Sequence, residues 1–390
     1  MTARAIIAGT AAALLAVQVV RNADLANAVA SRPPRPAALW PGHPENQISS
    51  AMVTIAQAAH DGRPVPAPVF AKMARAAARD PLAPEPFLVR GVQAEIAGDG
   101  AAAQRAFEAA QWRDPRSQAA AYFLADRYFR TGARMRGLTE VALLSRLSPN
   151  GDAKIGPYLA AYAKNPANWP ALKAMFGENL RLAKSALVPL ASNIATVPAV
   201  LAVAPPVKAT DATWIAPLLD TLVNAGEYDK ARRIWAGASR ISPQATELIH
   251  DTAFNDNVSP PPFNWALTSS AVGMAERQPE GRLHVVFYGQ QDGFLASQLL
   301  LLAPGSYRLS MRLLGDSVRA RSLNWSIWCD KALAPIASIS LDASARGWQF
   351  RVPVNCPAQW LKLSGASGDI SQQVDIVIGA LRMERLAGNA

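Results

Sequence analysis

ARAAARDP at residues 74–81 and FEAAQWRDP at residues 107–115 close on the same Arg-Asp-Pro triplet, and SRLSP at 145–149 sets a third proline in step: Pro81, Pro115 and Pro149 stand 34 residues apart. Counting back from Pro115, small residues fall at Gly91, Gly98, Ala103 and Ala110, with Phe87 and Phe107 as large apolar partners. This spacing predicts two helices, about 86–97 and 100–113, joined by Gly98-Asp99. Small residues let the paired helices approach, an aromatic ring fills the space between pairs, and proline ends the second helix because it cannot continue it.

The preceding stretch, 50–83, keeps Ala76 and Pro81 in phase but has RPVPAP at the turn. The following one, 118–151, keeps Ala125, Tyr128, Gly132 and Pro149 and puts Gly137 where alanine is expected. A distant copy, WIAPLLDTLVNAGEYDKARRIWAGASRISP, has Gly226, Tyr228, Ala231, Trp235, Ala238 and Pro243 in phase. On these residues the chain resembles the tetratricopeptide repeat, whose period is 34. Residues 152–210 break the motif but still read as short helices, so an α-helical solenoid is expected over 40–254, degenerate in 152–210. It is either a spacer or a groove for a partner protein.

After NDNVSPPPF (255–263) the period changes, since three prolines at 260–262 forbid a helix. Alternation then sets Leu283, Val285 and Phe287 inward, as it does Tyr307, Leu309, Met311 and Leu313, and Leu323, Trp325, Ile327 and Cys329. Asn324, Ser326 and Trp328 take the outward phase. Eight or nine short strands over 255–390 predict an antiparallel β-sandwich. The order of features resembles a jelly-roll of the carbohydrate-binding-module kind. Such modules often hold calcium with acidic residues near the last strand. Here that strand, DIVIGALRMERL, carries Gly379 and Ala380 at its middle, and no metal or cofactor is expected. The fold class is therefore multidomain α plus β.

The net charge of +10 is spread over 39 Lys plus Arg and 29 Asp plus Glu along the whole chain, which argues for a solvated basic surface and against nucleic acid. Residues 1–30 read as a signal peptide or membrane anchor. Ala5–Val20 is uncharged, and LANAVAS at 25–31 offers a cleavage site, although Arg21 and Asp24 intervene and favour an uncleaved anchor. A buried amino-terminal helix is the remaining alternative. Either of the first two exports the chain to the periplasm, anchored in the inner membrane or, if cleaved, as a secreted form. There Cys329 and Cys356, the only cysteines, are most simply a disulfide worth about 3–4 kcal/mol, with two buried thiols as the alternative.

LLGDSVRA (313–320) invites comparison with the Gly-Asp-Ser-Leu hydrolases, but none of the four histidines follows Ser317, where that family places its base. Neither a zinc cluster nor a phosphate-cradling loop is present, and an enzyme is not expected. The candidate glycan residues are Trp328 and Trp360 with Arg308, Arg312, Asn324 and Lys362. Indole rings stack on the C–H faces of pyranoses, while Arg and Asn hydrogen-bond hydroxyls. Alternatively, the two tryptophans pack against the helices. The arrangement resembles tetratricopeptide proteins of bacterial envelopes associated with exopolysaccharide production. That resemblance implies a non-catalytic scaffold with envelope assembly proteins, polysaccharide and the inner membrane as partners, or an adaptor without sugar affinity.

Overall fold

A computed structural model describes residues 3–30, 38–206, 212–242, 247–315, 319–344, 347–368 and 372–386; the side chains of residues 3–13, 25, 29–30 and 319 lie outside that set, as does Ser317 of the Gly-Asp-Ser block. The chain divides into two compact units, Met1–Ile155 and Gly156–Ala390.

The first unit is all helical: α1 (Ala3–Ala30), α2 (Pro44–His60), α3 (Ala67–Arg79), α4 (Glu85–Ile96), α5 (Gly100–Arg113), α6 (Gln118–Arg130), α7 (Arg134–Leu147) and the first turn of α8 (Gly151–Tyr162). Helices α3, α5 and α7 each end two residues before one of the three prolines. The triplets close the helices as the periodicity requires. Asp80 Oδ1 accepts from the Leu82 N–H at 3.2 Å and Asp114 Oδ1 from the Arg116 N–H at 3.0 Å, turning the chain. Arg113 Nε then reaches back to the carbonyl of Pro81 at 2.6 Å, so one triplet ties the next hairpin to the last. At the hairpin corners Gly98 and Gly132 adopt φ of 77° and 78°, a left-handed backbone that a side chain would strain. Phe107 lies against Gly91 on one side and parallel to Phe123 on the other. Gly137, which departs from the expected alanine, sits under the Phe129 ring: an added Cβ would come within 3.0 Å of it.

Helix α1 continues through both Arg21 and Asp24. The Arg21 guanidinium stands 4.2 Å over the Trp40 ring and Asp24 Oδ2 accepts from the Leu39 N–H at 2.9 Å. The charges that separate the apolar run from LANAVAS are thus bound to the segment leading into α2. Among the described residues no helix is long and apolar enough to cross a membrane.

The second unit opens with the rest of α8, then α9 (Trp169–Glu178), α10 (Leu180–Ala191) and α11 (Val197–Val203), the short helices expected where the motif decays, and α12 (Ile215–Asn224) and α13 (Tyr228–Ser239), which carry the distant in-phase copy. Ten strands follow: β1 (Ala266–Leu267), β2 (Gly273–Gln278), β3 (Arg282–Phe287), β4 (Gly293–Leu300), β5 (Gly305–Gly315), β6 (Leu323–Cys329), β7 (Ala337–Ser340), β8 (Trp348–Val352), β9 (Gln359–Gly365) and β10 (Val374–Arg385). They form two antiparallel five-stranded sheets, β1-β4-β9-β6-β7 and β2-β3-β10-β5-β8, and the chain changes sheet at most connections. The inward phases hold: Leu283, Val285, Phe287, Tyr307, Leu309, Trp325 and Ile327 form the core between the sheets. Strand β10 contains one extra residue between Gly379 and Arg382, at Ala380 with φ 49°. Before it Ile376 and Ile378 point inward; after it Leu381 does, while Arg382 and Glu384 point out.

Cys329 and Cys356 form a disulfide, with Cα atoms 5.4 Å apart. Cys329 is half-buried at the end of β6 rather than in the core, because the alternation ends where the bridge begins. The bond indicates an oxidising, extracytoplasmic environment.

Candidate functional site

The six glycan candidates do not share one surface. Trp328, Asn324, Trp360 and Lys362 lie on β6 and β9 of one sheet, whereas Arg308 and Arg312 lie on β5 of the other. Alternation gives the inward or outward phase of a residue but not its sheet, and a sandwich has two outward faces.

On the first sheet, antiparallel register sets Trp328 opposite Trp360, Ser326 opposite Lys362 and Asn324 opposite Ser364. The Lys362 ammonium lies 4.5 Å from the ring centroid of Phe294, 5.0 Å from that of Trp328 and 5.9 Å from that of Trp360. Burial among these rings lowers the lysine pKa, a shift that the charge of Asp330 opposes. Both tryptophans are half-buried, and Ser326, outward in phase, is buried. The reason lies in the helices. Asp330 accepts from Trp360 Nε1 at 3.0 Å and, through its other oxygen, from the Tyr228 hydroxyl at the start of α13 at 2.7 Å. Burial, with this hydrogen bond to Asp330, pushes the Tyr228 pKa up to about 12. Lys331 Nζ donates to the Asn224 carbonyl at the end of α12 at 2.9 Å. Trp235, a landmark of the helical repeat, is fully buried and donates from Nε1 to the Pro260 carbonyl at 2.7 Å. One edge of the aromatic cluster is therefore occupied by the α12–α13 hairpin. The Trp328 indole is turned instead to Ser326 Oγ at 2.8 Å.

Chemically this is a cation-centred aromatic patch with its indole N–H groups already satisfied, leaving ring faces and the lysine as its open features. Phe294, Asp330 and the second role of Tyr228 were not legible in the sequence. Phe294 precedes the irregularity in the β4–β9 pairing, and the Asp330–Tyr228 contact spans 102 residues.

Two concavities accompany the patch. In the first unit a cleft of about 320 Å³ between α3 and α4 is lined by Phe70, Met73, Phe87 and Val89, with Arg90 and Gln93 at its side. In the second, a cavity of about 240 Å³ is lined by Arg232, His250, Phe263 and Gln298, among others. Burial lowers the Arg232 pKa, with nearby Glu247 opposing, and its guanidinium rests 4.4 Å from the Trp235 ring centroid. Among the described residues, no group of three or more His, Cys, Asp and Glu is arranged to hold a metal ion.

No protein-family model matches the sequence, and no curated protein matches it. Among solved structures, a match covers 31% of this chain and 90% of the other at 11% identity, with a TM-score of 0.24, and is described as the crystal structure of accessory secretory protein 1,2 and 3 in Streptococcus pneumoniae. A likeness of that size carries no argument about fold or function.

Proposed function

We propose that this chain is a non-catalytic scaffold of the bacterial periplasm. In this reading the helical hairpins, taken as tetratricopeptide-type repeats, bind an envelope assembly protein. The sandwich, taken as a jelly-roll of the carbohydrate-binding kind, binds envelope polysaccharide during its assembly or export. The apolar run 5–20 serves as the inner-membrane anchor. The observation that carries the proposal is the pairing of a 34-residue helical array bearing an apolar cleft with a disulfide-closed sandwich that presents Trp328, Trp360 and Phe294 around Lys362.

Affinity electrophoresis of the full chain, through gels containing polysaccharide extracted from the source cell's envelope, tests it. Retardation that is lost in a Trp328→Ala/Trp360→Ala variant is the expected result. Unchanged mobility across several polymers refutes the glycan half. The Asp330 contacts, which commit Trp360 to holding α13, favour a second reading: a protein–protein adaptor without sugar affinity.

A further inference from the structure

The outer face of the β2-β3-β10-β5-β8 sheet is basic toward its β5 and β8 side. Arg308 and Arg312 on β5, Arg351 on β8 and Arg382 on β10 are all exposed. Register sets their order: Arg382 lies opposite Ser310, between Arg308 and Arg312, while Arg351 lies opposite Ser306. At about 3.3 Å per residue, guanidinium-bearing positions thus recur about every 7 Å along the strand direction. Among the described residues, Arg308, Arg312 and Arg351 make no ion pair, whereas Arg382 pairs with Glu384 at 2.7 Å. Gly379 stands opposite both Arg312 and Arg282, so the sheet between those two arginines has a floor without a side chain. Ser310 and the exposed Gln349 add neutral hydrogen-bonding groups to the row.

We propose that this arginine face binds an acidic polysaccharide, a polymer bearing carboxylates at regular spacing. The inference rests on the scaffold reading and goes beyond it by adding a second contact, for acidic polymer, on the sheet opposite the one that carries Trp328 and Trp360. Guanidinium forks match carboxylates in a bidentate geometry, and Ser and Gln suit the hydroxyls between them. Three observations favour this occupant over other polyanions. The described residues of this outer face carry no Phe, Tyr or Trp ring on which a nucleic-acid base could stack, and the His284 imidazole is held between Glu276 and Asp375. The domain is closed by a disulfide, which places it in an oxidising compartment. Among the described residues of these strands, Leu314 is a single exposed large apolar side chain beside the arginines, short of the wedge of several that inserts into a lipid surface.

The test is affinity electrophoresis of the full chain in gels containing polygalacturonate, dextran or double-stranded DNA, with mobility normalised to polymer-free gels. Polygalacturonate should retard the protein and dextran should not. An Arg308→Glu/Arg312→Glu/Arg351→Glu variant should weaken the apparent Kd about tenfold or more, since three exposed pairs are each worth up to about 1 kcal/mol. Trp328→Ala/Trp360→Ala should leave it unchanged. Should the triple variant melt early, Arg312→Glu alone serves, with a loss of about twofold to fivefold. Retention of binding in the arginine variants overturns the proposal, as does equal affinity for DNA, which marks generic polyanion adsorption. Lack of retardation by polygalacturonate also overturns it. If envelope polysaccharide still retards the protein in that case, the scaffold reading survives; if neither polymer does, its glycan half falls too.

Discussion

Gly91→Ala in α4 is a small change with a calculable result. A Cβ at residue 91 would stand 2.4, 2.5 and 2.8 Å from Cε1, Cδ1 and Cζ of Phe107. Carbon atoms in contact need about 3.5 Å, an overlap of about 1 Å. The ring has nowhere to go: Phe107 is 1% exposed, and Phe123 lies parallel behind it at 4.6 Å between centroids. Helix α4 must yield instead. Overpacking costs about 1–3 kcal/mol, and an overlap against a pinned ring belongs near the upper end. Alanine regains about 1 kcal/mol of helix propensity, leaving a net loss of about 2 kcal/mol. For a unit of this size, that lowers the melting temperature by about 4–8 °C. Scanning calorimetry of the full chain should show the shift in the transition of the Met1–Ile155 unit and leave that of Gly156–Ala390 in place. Gly98→Ala is the comparison: its φ is 77° with nothing within 4 Å of the new Cβ, so it costs about 1–2 kcal/mol through backbone strain alone. Phe107→Leu should rescue part of the loss at Gly91 and none at Gly98. A Gly91→Ala protein that melts at or above the wild type refutes the close-approach argument.

Two further outcomes follow from the second unit. Asp256 is partly buried, which would raise its pKa, yet hydrogen bonds from Ser259, His250 and the Val258 N–H hold it well below the usual carboxylate range. A depressed folded pKa gives stability that is present above the unfolded value of about 3.9 and lost as the pH falls below it. Asp256→Asn should therefore lower the unfolding free energy measured in urea at pH 7 by about 1.5–3 kcal/mol, with the difference narrowing as the pH falls below about 4 and closing only below the depressed folded pKa; a pH-independent difference would sink the assignment. Asp330→Ala should bring the Tyr228 ionisation down from about 12 toward its ordinary range, read as phenolate absorbance that disappears in a Tyr228→Phe background. If the tyrosine titration is identical to that of the wild type, Asp330 does not hold α13 to the sandwich.

The helical half was largely legible because its signals are local. Pro115 and Gly98-Asp99 bound α5 within the residues that form it, and the expected helices at 86–97 and 100–113 match Glu85–Ile96 and Gly100–Arg113. Inward strand residues were legible for the same reason, since alternation is a property of neighbours. Three kinds of feature were not. The short strands β1 and β2 have weak alternation; β1 has two residues. The grouping of the glycan candidates depended on strand order, which placed Arg308 and Trp328 on different sheets. Trp235 and Tyr228 fitted the repeat so well that their bonds to Pro260 and Asp330 were hidden, because one side chain can satisfy a local pattern and a distant contact together.

The additional residue at Ala380 acts as a phase shifter in the central strand of its sheet. With strict alternation from Ile376 and Ile378, the positions of Arg382 and Glu384 would face the core, and Leu381 and Met383 the solvent. One residue of extra length inverts the last third of β10 and delivers Arg382 to the gap between Arg308 and Arg312. The continuity of the basic row thus depends on the strand absorbing Ala380 as a bulge instead of taking it into the alternation. Substitution can weaken that row one charge at a time, whereas deleting Ala380 would straighten the strand and still leave Leu381 inward and Arg382 outward.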